Sequence, residues 1–235
     1  MRDEAVRTRF PSDSRSRARP ALRVAALLAP LLLLAAAAPA ADSASRGAEA
    51  LVRRVYYEGV PYGAARSVDD AGAARLAAML LDPGEREWWP NIALVLGIAG
   101  RSGAYEALCG ASEAGGSGEL DRPAYKLQTA IPLAMGHLAR SDPRALAWLA
   151  ARAREPASDP GWSFRSQRGA ELGAQLRGLA LVGLGLSGRP EARPLLEALA
   201  ADPSELGARA DEALRLHARI AAEGPDAVLG AKDRE

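Results

Sequence analysis

Histidine and cysteine, the side chains that most often carry acid–base or nucleophilic catalysis near neutral pH, are few in this 235-residue chain, and they are scattered along it. The two histidines are His137 and His217. A catalytic histidine needs a nucleophile within hydrogen-bond reach and a third group to orient it. Neither has identifiable partners: His137 falls in a junction after an apolar run, and His217 continues the stripe Ala210, Ala213, Leu214. Both read as packing or helix-surface residues. Cys109 is the single cysteine, so an intrachain disulfide is excluded. With two histidines it also falls short of a four-ligand Cys/His zinc site. Beside Leu108 it reads as a half-buried small apolar residue, with an intermolecular thiol as the alternative. Asp69-Asp70, Glu85 and Glu87 lack calcium-loop spacing and suit a helix start and a turn. Gly115-Gly116-Ser117-Gly118 is followed by Glu119-Leu120, where a phosphate cradle needs Lys then Ser or Thr, so it reads as a flexible loop. These residues assign no catalytic, metal-binding or cofactor-binding position, and the chain reads as a non-enzyme.

The elements that carry these side chains are expected to be helices. Hydrophobic residues make up 49% of the chain but aromatics only 5%, and alanine and leucine dominate. Both head the helix-propensity ranking, whereas strands favour β-branched and aromatic residues. The formal net charge is +1, and residues 1–40 alone carry seven arginines against three acids. The remainder is mildly acidic, which argues against a nucleic-acid footprint.

The first 40 residues read as an export signal. Arginines from Arg2 to Arg23 precede an uncharged apolar run, Val24 to Ala38, which ends on Ala38-Pro39-Ala40. A charged lead, an apolar middle and a small-residue exit describe a cleaved secretory signal. The mature protein is then periplasmic or extracellular and free of the membrane. The alternative is an N-terminal membrane anchor, although the run barely reaches the roughly 20 residues of a span and Pro30 interrupts it.

After a segment, residues 41–68, that is irregular apart from a possible short helix around Ala48–Tyr56, apolar residues recur at the i, i+3, i+4, i+7 spacing of amphipathic helices. The sets are Ala73–Leu80, Ala104–Ala111, Leu146–Ala153 and Ala192–Leu199. Ser141 or Asp142 caps the third, with Pro143 in its first turn. Between them lie wider apolar helices at Pro90–Ala99, Pro123–Leu138, Gln167–Leu186 and Glu205–Ala222. A helix apolar around most of its circumference is covered on both sides. Amphipathic outer helices therefore alternate with buried inner ones, giving four hairpins. Their junctions repeat: Leu96-Gly97-Ile98-Ala99-Gly100-Arg101, Met135-Gly136-His137-Leu138-Ala139-Arg140 and Leu184-Gly185-Leu186-Ser187-Gly188-Arg189. The late glycine admits a neighbouring helix, and in two copies a second glycine ends its own helix.

The stretch Leu176-Arg177-Gly178-Leu179-Ala180-Leu181-Val182-Gly183-Leu184-Gly185 resembles the second-helix ending of HEAT repeats. More degenerate copies precede Gly97 and Gly136. The resemblance covers residues 69–222 and leaves 223–235 as a tail; Pro132, expected to kink its helix, and an insertion at 155–166 depart from it. It implies an all-α fold, a short right-handed α-α superhelix of about four helix pairs, and an arginine at 177 that bridges repeats. By the same resemblance the function is that of an exported scaffold for a protein or peptide partner. Alternatives are a HEAT-like lyase, of the kind that attaches pigments to phycobiliproteins, and a structural part of an envelope complex. Aromatics and arginine are enriched at binding hot spots. The expected partner-binding positions are Trp88, Trp89, Asn91, Lys126 and Arg168, near the starts of the inner helices. Trp88 and Trp89 also fit a second role, capping the core of the first hairpin.

Overall fold

The computed structural model describes residues 43–230 except 44, 58, 115–117 and 157. The expected export signal lies outside the described residues. The fold is all-α. Residues 45–52 form α1, followed by α2 (Tyr62–Arg66), α3 (Asp70–Leu80), α4 (Trp89–Ala99), α5 (Ala104–Glu113), α6 (Arg122–Leu138) and α7 (Pro143–Arg154). Then come α8 (Ala170–Ser187), α9 (Arg193–Ala200), α10 (Glu205–Glu223) and α11 (Pro225–Leu229). Among the described residues, no helix is long and apolar enough to cross a membrane.

Local chemistry sets the boundaries. The Asp69, Asp121, Asp142 and Ser204 side chains accept from backbone amides at the starts of α3, α6, α7 and α10. Each satisfies a donor that the first helical turn would leave unpaired. Pro143 is the first residue of α7, where its missing N–H costs nothing. Gly100 and Gly188 end α4 and α8 in the left-handed conformation, with φ of 63° and 59°.

Packing follows the expected alternation. The outer helices α3, α5, α7 and α9 pack on α4, α6, α8 and α10 in turn, and the inner helices pack consecutively, α4 on α6, α6 on α8 and α8 on α10. Leu76, Ile92, Leu96, Leu108, Ile131, Met135, Leu149, Leu181, Leu184 and Leu196 are fully buried in one contiguous core. The junction glycines set the spacing of the inner layer. A Cβ at Gly97 would lie 2.2 Å from the Ala134 carbonyl oxygen. Cβ atoms at Gly136 and Gly185 would lie 2.5 and 2.6 Å from the Gly183 and Ala213 carbonyl oxygens. Backbone thus meets backbone where any side chain would hold the helices apart. Pro132 sits inside α6, and the helix continues through it to Leu138.

Three features differ from the sequence reading. Residues 41–68, read as irregular apart from a possible short helix around Ala48–Tyr56, contain α1 a few residues earlier and also α2, and the tail after residue 223 contains α11. The glycine-rich loop and the insertion also pair: Gly118-Glu119 runs parallel to Trp162-Ser163. Trp162 is buried there, and the Phe164 ring stacks on Tyr125 of α6 with centroids 3.9 Å apart. The insertion is therefore anchored to the inner layer by aromatic packing.

Candidate functional site

A groove of about 730 Å³ is lined by Gln167 and by residues of α8 and α10. Leu179, Val182 and Leu206 supply its apolar lining, and Glu171, Glu205 and Glu212 its carboxylates. Helical periodicity explains the grouping: Glu205, Arg209 and Glu212 recur at i, i+4, i+7 on one face of α10. Arg209 pairs with Glu205 at 2.7 Å, which leaves Glu171 and Glu212 outside every ion pair among the described residues. At one end, Tyr125 and Gln175 meet through a 2.9 Å hydrogen bond from the Gln175 amide to the phenol oxygen. The groove is therefore acidic with a hydrocarbon floor.

The positions expected from sequence are spread over three places. Trp88 and Trp89 are part-buried and pack against the core at the start of α4. Trp89 also donates its Nε1–H to the Asp82 carbonyl at 3.1 Å and lies under the Arg86 guanidinium. Asn91 donates both amide hydrogens, to the Val52 and Arg54 carbonyls at 3.0 Å each, so its side chain ties α4 to the end of α1. Lys126 is exposed in the first half of α6, and Arg168 is exposed just before α8. None of the five lines the α8–α10 groove. The reasoning that selected them favoured cations and tryptophans, whereas the groove is built of carboxylates. The three-to-four residue spacing of Glu205, Arg209 and Glu212 was the signal available in the sequence.

The remaining chemistry-bearing residues are each engaged in packing. His217 is buried and its Nε2 lies 2.8 Å from the Arg189 carbonyl oxygen, to which it donates. Cys109 is half-buried. His137 meets Tyr62 with ring centroids 6.0 Å apart, and its Nδ1 accepts from Arg140 Nη2 at 3.1 Å. Burial, then the charge of Arg140, pushes the His137 pKa down to about 3, so the ring is neutral near pH 7. Among the described residues, no three His, Cys, Asp or Glu side chains gather as metal ligands.

No family model, curated protein or solved structure matches this chain. The functional reading therefore rests on the geometry above and on the sequence.

Proposed function

We propose that the chain is an exported, non-catalytic scaffold of the HEAT-like kind that binds a basic, partly apolar segment of a partner protein. The observation that carries the reading is the α8–α10 groove, where Glu171 and Glu212, in no ion pair among the described residues, line the same wall as Leu179, Val182 and Leu206. An amphipathic peptide laid in such a groove buries its apolar face and presents Lys or Arg to the rim. Rim charges of this kind act mainly on encounter rate and selectivity, and salt screens them. The stacked order of hairpins suits a repeat scaffold, in which inner helices present a continuous surface. Export rests on the Arg2–Arg23 lead, the Val24–Ala38 run and the Ala38-Pro39-Ala40 exit.

Isothermal titration calorimetry with designed helical peptides tests the binding face. A Lys/Arg amphipathic peptide should bind, its Glu/Asp counterpart should not, and binding should weaken between 50 and 500 mM salt, roughly as screening requires. The double variant Glu171→Gln, Glu212→Gln should reduce affinity while the far-ultraviolet circular dichroism spectrum stays unchanged. Equal binding of the basic and acidic peptides, or an unaffected double variant, would sink the proposal.

A further inference from the structure

A second cavity, of about 370 Å³, lies in the first two hairpins, where the ends of α3 and α5 meet the starts of α4 and α6. Leu80, Leu81, Leu120, Leu127 and the Trp89 ring supply most of its wall. Leu81 is 62% exposed, so an apolar side chain stands open to solvent at the rim. Among the described residues, the one charged side chain in the wall is Arg86. It pairs with Asp121 at 2.7 Å and stands 5.5 Å from the Trp89 ring centroid. The Trp89 indole N–H is taken by the Asp82 carbonyl at 3.1 Å.

Gln128 is different. It is 7% exposed, and its amide nitrogen donates to the Ala111 carbonyl at 3.0 Å. That carbonyl lies in the last turn of α5, where helix carbonyls have no donor within the helix. A carbonyl accepts only from a donor, so the amide is fixed with its nitrogen toward Ala111 and its oxygen away from it. The Oε1 accepts no hydrogen bond among the described residues, and it is not sealed from solvent. Gln128 is part of this cavity's wall. Polar groups at such depth nearly always find a partner. The amide oxygen is thus an open acceptor in an otherwise apolar lining.

We propose that this cavity binds a neutral, fused-ring aromatic molecule with one N–H or O–H donor, of the indole or naphthol kind. The rings displace water from the leucines and Trp89, and the donor takes Gln128 Oε1. Size sets the number of rings. A cavity of roughly 150 Å³ holds one benzene, this one is more than twice as large, and it falls in the roughly 300–1,000 Å³ range of small-molecule sites. The Trp89 ring favours an aromatic guest, because ring pairs gain beyond their buried area. Charge is disfavoured: Arg86 is already matched by Asp121, so an ionised guest would lose its hydration without a free counter-charge. The cavity shares no lining residue with the α8–α10 groove, so the two sites stand or fall separately.

With four tryptophans in the chain, indole N–H resonances report the site directly. The full chain is titrated with indole, with benzothiophene, a ring system of the same shape without a donor, and with N-acetyltryptophanamide. The Trp89 resonance should shift saturably with indole while Trp148, on α7, stays still. Benzothiophene should bind at least about fivefold more weakly, roughly what one hydrogen bond contributes. Gln128→Leu keeps the wall apolar and should erase that preference. Ala124→Phe, which places a ring in the cavity, should abolish indole binding, and with the parent's preference for indole it decides the matter if Gln128→Leu does not fold. A Trp89 shift that is absent or does not saturate, equal binding of the two ring systems, a preference that survives Gln128→Leu, or undiminished binding by Ala124→Phe overturns the proposal. So does tighter binding of N-acetyltryptophanamide than of indole, which assigns the cavity to a partner's side chain. A Trp89 shift with protein concentration alone assigns it to a second copy and overturns the proposal as well.

Discussion

Arg177 donates its Nε–H to the Ala153 carbonyl at 2.8 Å, so its guanidinium holds α8 to the last turn of α7. The resemblance to HEAT repeats led us to expect a bridge between neighbouring repeats; the bond found joins the two helices of one hairpin. Arg177→Ala removes this charge-assisted bond and should lower stability by about 1.5–3 kcal/mol, read as a fall in melting temperature, with peptide binding in the α8–α10 groove unaffected. His137 makes a second prediction at the same scale. Its pKa is about 3 when folded against 6.5 in an unfolded chain. The unfolded state therefore binds the proton first as pH falls, and stability present above pH 6.5 is lost between about 6.5 and 3. The ceiling on this slope is about 1.4 kcal/mol per pH unit. His137→Gln keeps an acceptor for Arg140, and urea unfolding at pH 7 and pH 5 should show a smaller loss in the variant than in the parent. An identical loss would mean that His137 does not drive the slope.

At the scale of elements, the junction glycines and a surface glycine make opposite predictions. Gly97 faces the α6 backbone, whereas a Cβ at Gly110, inside α5, would meet nothing within 4 Å. Gly97→Ala should be strongly destabilising, because α4 and α6 must separate to relieve the clash. Gly110→Ala should stabilise by about 0.5–1 kcal/mol through reduced freedom of the unfolded chain. Chemical denaturation of the pair checks both signs. These glycines also show what was legible. The helices of the four hairpins begin and end within a few residues of their expected bounds, because caps such as Asp142-Pro143 and Gly188 act locally. The short helices α2 and α11 escaped notice. Each is five residues long, too short for periodicity to register, and each is held by tertiary contacts with its neighbours. The Gly118–Trp162 pairing was equally illegible, since it joins loops 44 residues apart. The aromatic alternation of Trp162 and Phe164 was the one local hint. The candidate groove is not legible in the sequence, because only the packing of α8 beside α10 turns the Glu face of α10 into a groove wall.

For the whole molecule, the mature protein is expected to begin at Ala41, within a few residues. Mass spectrometry of the exported protein checks this, and an intact arginine-rich leader would favour the anchor instead. The stacked hairpins have a consequence that Arg66 and Asp226 modify. Arrays in which each unit touches only its neighbours come apart from their ends, one unit at a time. Here α11 lies against α2, and Arg66 reaches Asp226 across 160 positions of sequence. The ion pair is exposed and adds little by itself. Its location is of more interest: it joins α2, which precedes the first hairpin, to α11, which follows the last. The contact places residues from the two ends of the described chain side by side, so Arg66→Ala should loosen α11 and α2 together, which hydrogen exchange of their amides would show.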